Sequence, residues 1–322
     1  MKCLGIESTA HTASIGAINE KGEILADVKD MYVNEKGGII PIEAAKHHKN
    51  IFPKLLDEIK KNIDLDKIDI ISFSKGPGLS PCLLEGMKFA RKMALELQAP
   101  LIGVNHLTAH LEIGKLLTNI KDPVFILATG ANTQVISFEG GKYRIFGECL
   151  SIGIGNALDK FGRAIGLGFP AGAKMEELAK NGKYVELPYV VKGMDVEFSG
   201  IITRAIQLHK QGVNKEDLCF SLQETCFAML TEAAERAMAH CNKKELLLIG
   251  GVAANKRLIG MLEIMCNERN ASFGVVPIKY SGDNGVMIAW QGILDSKLRK
   301  FDKKGIEKED INPNWRIDQV KN

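Results

Sequence analysis

Residues 246–255 read Leu246-Leu247-Leu248-Ile249-Gly250-Gly251-Val252-Ala253-Ala254-Asn255. The stretch is a buried strand, a glycine pair, and then the start of a helix. Glycine at such a junction lets a flat ligand approach the backbone closely, and the helix start adds N–H groups and the positive end of a dipole. Two earlier stretches share a related pattern. The first runs L-G-I-E-S-T-A-H-T-A-S-I-G-A-I from Leu4, the second I-L-A-T-G-A-N-T-Q-V-I-S-F from Ile126. Each is an apolar strand, a turn of Gly, Ser, Thr or Asn, and a returning strand. The turns at Ser8-Thr9 and Thr129-Gly130 offer backbone N–H groups and hydroxyls that suit phosphate oxygens. Either turn alone reads equally well as an ordinary hairpin.

Outward from these stretches, strands and helices alternate. Lys2–Ile6, Thr12–Ile18 and Ile24–Val28 read as strands, 42–63 as a helix, 68–74 as a strand and 81–97 as a helix. A second series follows, with strands at 124–128, 134–138 and 143–149 and a helix at 156–165. Then come a long helix at 218–240, a strand at 245–249, and helices at 255–268 and 283–294. The pattern predicts an α/β protein with helices covering mixed sheets. The repeat predicts two lobes, 1–122 and 123–322, the second starting at Pro123. Two phosphate-type hairpins and a late G-G-x-A-x-N turn resemble the actin-like, sugar-kinase and Hsp-type ATPase (ASKHA) superfold. That resemblance implies a nucleotide between the lobes.

Composition narrows the class. The chain has 322 residues, 45% hydrophobic and 25% charged, which excludes disordered, collagen-like and coiled-coil readings. A net charge of +3 permits a nucleic-acid partner without demanding one. No apolar run reaches the ~20 residues of a membrane span. The start carries no cleavable signal pattern. The seven cysteines are scattered and never C-x-x-C, which fits reduced thiols in a cytoplasm and speaks against a thiolate zinc site.

Asn105-His106-Leu107-Thr108-Ala109-His110 sets two histidines four apart, on one face of a helix, where both can bind one metal. A peptidase of the H-E-x-x-H kind is a poor reading, because Leu107 stands where the glutamate base belongs. A surface or capping pair is an equal reading of the histidines alone. Asp283, in the turn S-G-D-N-G before a helix, is a candidate third ligand or an N-cap. His47 and His48 are adjacent, diverge around a helix, and suit surface contacts such as phosphates better than chelation. Asp159 on one helix and Glu176 on another, the second beginning near Gly172, could clamp ribose hydroxyls or be solvated carboxylates. A basic run, Lys297, Arg299, Lys300, Lys303 and Lys304, could touch RNA phosphate or be a solvated tail.

Ten motifs in order carry a family resemblance: G-I-E-S-T-A-H-T, G-G-I-I-P-I-E-A-A-K-H-H, F-S-K-G-P-G-L-S-P-C-L, G-V-N-H-L-T-A-H-L-E-I-G, T-G-A-N-T-Q-V-I, I-G-I-G-N-A-L-D-K-F, L-P-Y-V-V-K-G-M-D-V-E-F-S-G, S-L-Q-E-T-C-F-A-M-L, G-G-V-A-A-N-K-R-L and G-D-N-G-V-M-I-A-W. Together, over residues 2–290, they resemble the archaeal and eukaryotic catalytic subunit of the KEOPS complex, in the Kae/TsaD family. The resemblance implies transfer of a threonylcarbamoyl group from threonylcarbamoyl-AMP to the exocyclic amine of the adenosine beside the anticodon in ANN-decoding tRNAs. It implies a divalent metal, iron foremost with zinc or magnesium as alternatives, on His106, His110 and Asp283. It implies adenylate binding at Leu127, Ala128, Thr129, Gly130, Ala131, Asp159, Gly172, Glu176 and Asn255, in a cleft that ATP or AMP can also occupy. The implied partners are tRNA, a kinase-like ATPase, a dimerising subunit and a small accessory subunit, with no membrane. The ATPase is not expected as a fusion after Asn322. The dimerising subunit is expected on helices 42–63 and 81–97, unless their apolar stripes are core.

The chain departs from the family pattern at several positions. Leu127 replaces a tyrosine metal ligand, Ile40 and Ile42 a His and an Arg, Leu84 an Arg, Ser151 an Asp, and Pro170-Ala171-Gly172-Ala173-Lys174 stands for P-G-G-P-K. These departures motivate an alternative, a diverged, weakly active or non-catalytic scaffold of the same family. A small-molecule kinase on the same superfold lacks its catalytic Asp, since Ala128-Thr129-Gly130 stands there.

Overall fold

The computed structural model describes residues 1–34, 38–298 and 303–320, with only the backbone of 303–305. The chain divides into two compact units, Met1–Leu116 with Asp283–Asn322, and Leu117–Gly282.

The first unit is built on β1 (Lys2–Glu7), β2 (Thr12–Asn19) and β3 (Ile24–Met31), then α1 (Pro41–Ile59), β4 (Ile70–Gly76), α2 (Ser80–Glu96), β5 (Leu101–Asn105) and α3 (His106–Thr118). Its sheet has the order β3-β2-β1-β4-β5. The β1–β2 and β2–β3 pairs are antiparallel, and β4 and β5 run parallel to β1. Leu4 and Ile6 alternate into a core with Phe52, Leu55 and Met87 from α1 and α2. The apolar stripes of those helices are therefore core, which leaves Ile42 and Leu95 exposed. The helix expected to reach residue 63 ends at Ile59, where Lys60 to Ile63 close a turn back on Leu56, Glu58 and Ile59.

The second unit repeats the plan. It holds β6 (Val124–Ala128), β7 (Thr133–Glu139), β8 (Lys142–Glu148), α4 (Ile154–Ala164) and α5 (Gly172–Ala179). A two-stranded ribbon of β9 (Val191–Lys192) and β10 (Asp195–Val196) follows, then α6 (Ser199–Lys210) and α7 (Lys215–His240). The unit ends with β11 (Glu245–Ile249), α8 (Lys256–Glu268), β12 (Ser272–Val275) and α9 (Ile278–Ser281). Its sheet order β12-β11-β6-β7-β8 is the first sheet's order with the corresponding strands, so the hairpin repeat read in the sequence is a repeat of topology.

The last helix, α10 (Gly285–Leu298), belongs to the first unit, not to a lobe running unbroken from 123 to 322. The reason lies in two glycines. Gly5 and Gly16 are cross-strand partners on β1 and β2. A Cβ on Gly5 would stand 2.2 Å from Ala289 N, and one on Gly16 2.3 Å from Val286 N. The bare backbone there lets α10 lie directly on the sheet face opposite Leu4 and Ile6. Ser14 Oγ accepts from Gly285 N at 2.8 Å, and Ser72 Oγ donates to Ile288 O at 2.9 Å.

Of the basic run, Arg299 and Lys300, and the side chains of Lys303 and Lys304, lie outside the described residues. Beyond it, Lys75 pairs with Glu309 at 2.9 Å and Asn105 Nδ2 donates to Trp315 O at 3.1 Å. Among the described residues, no helix is long and apolar enough to cross a membrane.

Candidate functional site

Strand β5 ends at Asn105, whose side-chain oxygen accepts from Thr108 N at 3.0 Å and so caps α3. His106 and His110 follow one turn apart, with ring centroids 4.6 Å apart and planes at 89°. Asp283 arrives from the segment just before α10. Its Oδ1 lies 3.5 Å from His106 Nε2 and 3.2 Å from His110 Nε2. One ligand atom from each of the three falls within 4.8 Å of the others, a set that could hold a metal ion.

The surroundings fit such an ion. His106 Nδ1 is 3.0 Å from Oε2 of the fully buried Glu7. A carboxylate on Nδ1 holds a proton there and directs Nε2 at Asp283, the ring orientation that metal-binding histidines take. Glu7 is itself fixed, because Oε1 accepts from both N and Oγ1 of Thr9, each at 2.6 Å. Burial alone would lower the His106 pKa, but the charge and hydrogen bond of Glu7, with Asp283 behind them, raise it to about 9. His110 shifts the other way, held below the usual histidine range chiefly by burial. Burial would raise Asp283, yet the His110 hydrogen bond and the His106 charge hold it well below the carboxylate range. Two carboxylates, Glu7 and Asp283, thus flank the His106 ring, an arrangement whose negative charge suits a divalent ion.

In the expected phosphate turn the Ser8 Oγ is buried and has no hydrogen-bond partner among the described residues. Both Thr9 donors are directed at Glu7, and Ser8 N donates to Ser74 Oγ at 3.0 Å. His48 differs from the surface contact expected of it. It is fully buried, with Nε2 3.0 Å from Ala10 O, while His47 pairs with Asp30 at 2.6 Å. Neither is the free surface donor that the sequence suggested.

In the second unit, Leu127 and Ala128 end β6 with fully buried side chains, and Leu127 is flanked by Ile249 of β11 and Gln134 of β7. The turn beyond them is tied to the start of α4, where Gly155 N donates to Thr129 O at 3.1 Å and Asn156 N to Gly130 O at 3.0 Å. Thr129 Oγ1 accepts from Asn132 N at 2.9 Å, and Gly130 and Ala131 are exposed. β11 runs parallel to β6 with Ile249 beside Leu127, which sets the glycine pair next to this turn. Gly250 has φ +105°, and a Cβ there would stand 2.3 Å from Ala128 O, so no other residue fits.

The remaining four residues form a series. Asp159 Oδ1 accepts from Ala171 N at 2.7 Å, which seats Gly172 at the start of α5. Glu176 Oε1 accepts from Lys256 N at 2.9 Å, at the start of α8. Asn255 caps α8 through Arg257 N and Leu258 N and donates to Gln223 Oε1 at 2.7 Å. One oxygen of each carboxylate is held by backbone and the other is available to a hydroxyl donor. Ser151, at a departure from the family pattern, donates to Glu197. Glu7, Asn105 and Gln223 went unmarked in the sequence. For Glu7 a signal existed, a carboxylate closing an apolar strand, which must find a partner if buried.

The two repeated α/β units define an ASKHA-type fold, and the first unit carries a His–His–Asp cluster that could hold a metal ion. Thermococcus kodakarensis HypF shares the fold, at a TM-score of 0.63 over 95% of this chain and 49% of that one, with 16% identity. A family model described as TsaD, tRNA N6-adenosine threonylcarbamoyltransferase, matches residues 23–290. The chain is 50% identical to the tRNA N6-adenosine threonylcarbamoyltransferase of Archaeoglobus fulgidus, over 99% of this chain and 98% of that protein. It is 49% identical to a probable bifunctional tRNA threonylcarbamoyladenosine biosynthesis protein of Methanocaldococcus jannaschii, spanning 60% of that protein's length. The chain belongs to the tRNA N6-adenosine threonylcarbamoyltransferase family, a family of transferases in tRNA modification.

Proposed function

We propose that this chain moves the threonylcarbamoyl group of threonylcarbamoyl-AMP to the exocyclic amine of the adenosine beside the anticodon in ANN-decoding tRNAs. It works in a KEOPS-like assembly with a kinase-like ATPase, a dimerising subunit and a small accessory subunit. The observation that carries the reading is 50% identity to the Archaeoglobus fulgidus transferase over nearly the whole of both chains.

In this reading the turn of residues 127–131 and the glycine pair give the adenylate backbone donors, Asp159 and Glu176 accept its ribose hydroxyls, and Asn255 and Gly172 complete the seat. The amine nitrogen forms a bond to the carbamoyl carbon, loses a proton, and the bond from that carbon to the phosphate oxygen breaks to release AMP. Holding both reactants together contributes much of the rate. His106, His110 and Asp283 would hold the metal, with iron, zinc or magnesium as the ion, and a bound divalent ion supplies Lewis acidity and orients anionic oxygens. Glu7 positions His106. A scaffold without turnover is the second reading, favoured by Leu127, whose buried side chain offers no donor atom.

Incubation with ANN-decoding tRNA and threonylcarbamoyl-AMP, alone and with the partner subunits, followed by nucleoside mass spectrometry, separates the two. Threonylcarbamoyladenosine is the expected product. Its absence beside a working relative would sink the transferase reading. His106→Ala should lose bound metal by elemental analysis, and unchanged stoichiometry would refute the ligand assignment.

A further inference from the structure

Helix α4 starts at the turn of residues 129–131 and buries Ile154, Ala157, Leu158 and Phe161 in the second unit's core. Its outward stripe is Asn156, Lys160 and Arg163, all exposed and spaced as neighbours on one helical face. Neither the Lys160 side chain nor the Arg163 side chain has a hydrogen bond or ion pair among the described residues. Nearby cations are engaged instead, Lys174 on Leu167 O at 2.7 Å and Arg257 on Glu224 at 2.6 Å.

The helix then ends in a fixed turn. Gly166, at φ +82°, donates to Arg163 O at 3.1 Å, and Leu167 N donates to Gly162 O at 2.8 Å. This turn presents Phe169 to solvent, 44% exposed. Arg163 in the last turn complements the helix dipole. That role accounts neither for Lys160 at mid-helix nor for an aromatic ring held in water.

We propose that this face is a path for single-stranded RNA, with Lys160 and Arg163 on backbone phosphates beside the target adenosine and Phe169 stacked on an unpaired base. The proposal rests on the tRNA-modifying reading and adds the surface that meets the RNA. Unpaired cations followed by an exposed aromatic match a polyanion with planar bases, the chemistry of an anticodon loop. An acidic protein would satisfy the cations but not the ring. The stripe leads away from the turn where the adenylate is proposed to sit, about 1.5 Å per residue, so Arg163 lies about 10 Å along α4 from Asn156.

The test is binding of an ANN-decoding tRNA to the full chain, and to the chain with its partner subunits, across a salt series. The double variant Lys160→Gln with Arg163→Gln should weaken binding about tenfold or more at low salt and lower the slope of log Kd against log salt by about 1.4, near 0.7 per phosphate contact. Phe169→Ala should weaken binding about fivefold or more with the slope unchanged, and Phe169→Trp should restore it. AMP binding serves as the control for an intact fold and should not change. Unaltered tRNA affinity in all variants of an enzyme that modifies tRNA would overturn the surface and leave the transferase reading standing. Loss of binding to a polyglutamate peptide but not to tRNA would also overturn it. A wild-type chain that neither binds nor modifies tRNA in either form would overturn both.

Discussion

Glu7 shows how one buried charge organises a site. Oε1 is held by Thr9 and Oε2 faces His106 Nδ1, so the carboxylate is satisfied on both oxygens and the ring is held with Nε2 towards Asp283. The residues of the Ser8-Thr9 turn were legible as important. Their role was not, because which acceptor takes a hydroxyl is settled by neighbours in space. His48 makes the same point. It is buried against Ala10 O and beside His47 Nδ1 at 3.2 Å. Burial first, then the His47 and His11 charges, lower its pKa to about 4, against the smaller upward pull of the Ala10 hydrogen bond and the Glu7 charge. The unfolded chain protonates this histidine near the ordinary value of about 6.5, before the folded chain does. Its contribution is therefore intact above that value and is lost as pH falls towards 4. Urea unfolding should show about 2 kcal/mol less stability at pH 5 than at pH 7 from this group. His48→Gln, which keeps the donor to Ala10 without titrating, should remove that share of the pH dependence. Identical pH slopes in the two proteins would refute the assignment.

At the scale of elements, strands and helices were largely readable from periodicity, including the strand–glycine–helix junction at 246–255. What periodicity could not convey is that Gly5 and Gly16 face the same helix. Their pairing across β1 and β2 depends on register, and the third member, Gly285, is far along the chain. A Cβ on Gly285 would stand 2.2 Å from Gly16 N, so the contact is backbone to backbone in both directions. Gly16→Ala should therefore cost about 3 kcal/mol, because no flexible side chain can yield. It should also weaken metal binding by moving Asp283. Gly260→Ala in α8, where a Cβ meets nothing within 4 Å, should instead stabilise by about 0.5–1 kcal/mol. Urea midpoints of the two variants check the contrast, and a neutral Gly16→Ala would refute the close-contact argument.

For the whole molecule, the repeated sheet order makes each unit a sheet with its own core, but only the second is continuous in sequence. Residues 117–282 as a fragment should fold alone, with cooperative unfolding in urea followed by circular dichroism. Residues 1–116 should not, since without α10 the sheet face at Gly5 and Gly16 is open. Cooperative unfolding of 1–116 alone would refute this. The sequence by itself determined the α/β class, the hairpin repeat, the family and the His106–His110 pair, because these rest on local order: alternation, turn chemistry, motif succession and helical spacing. The family resemblance already grouped Asp283 with that pair, and only the tertiary structure decided that Glu7 holds His106 and that the C-terminal helix completes the first unit. Those facts depend on which distant groups can touch, and for the C-terminal helix two bare glycines on adjacent strands are what let it approach.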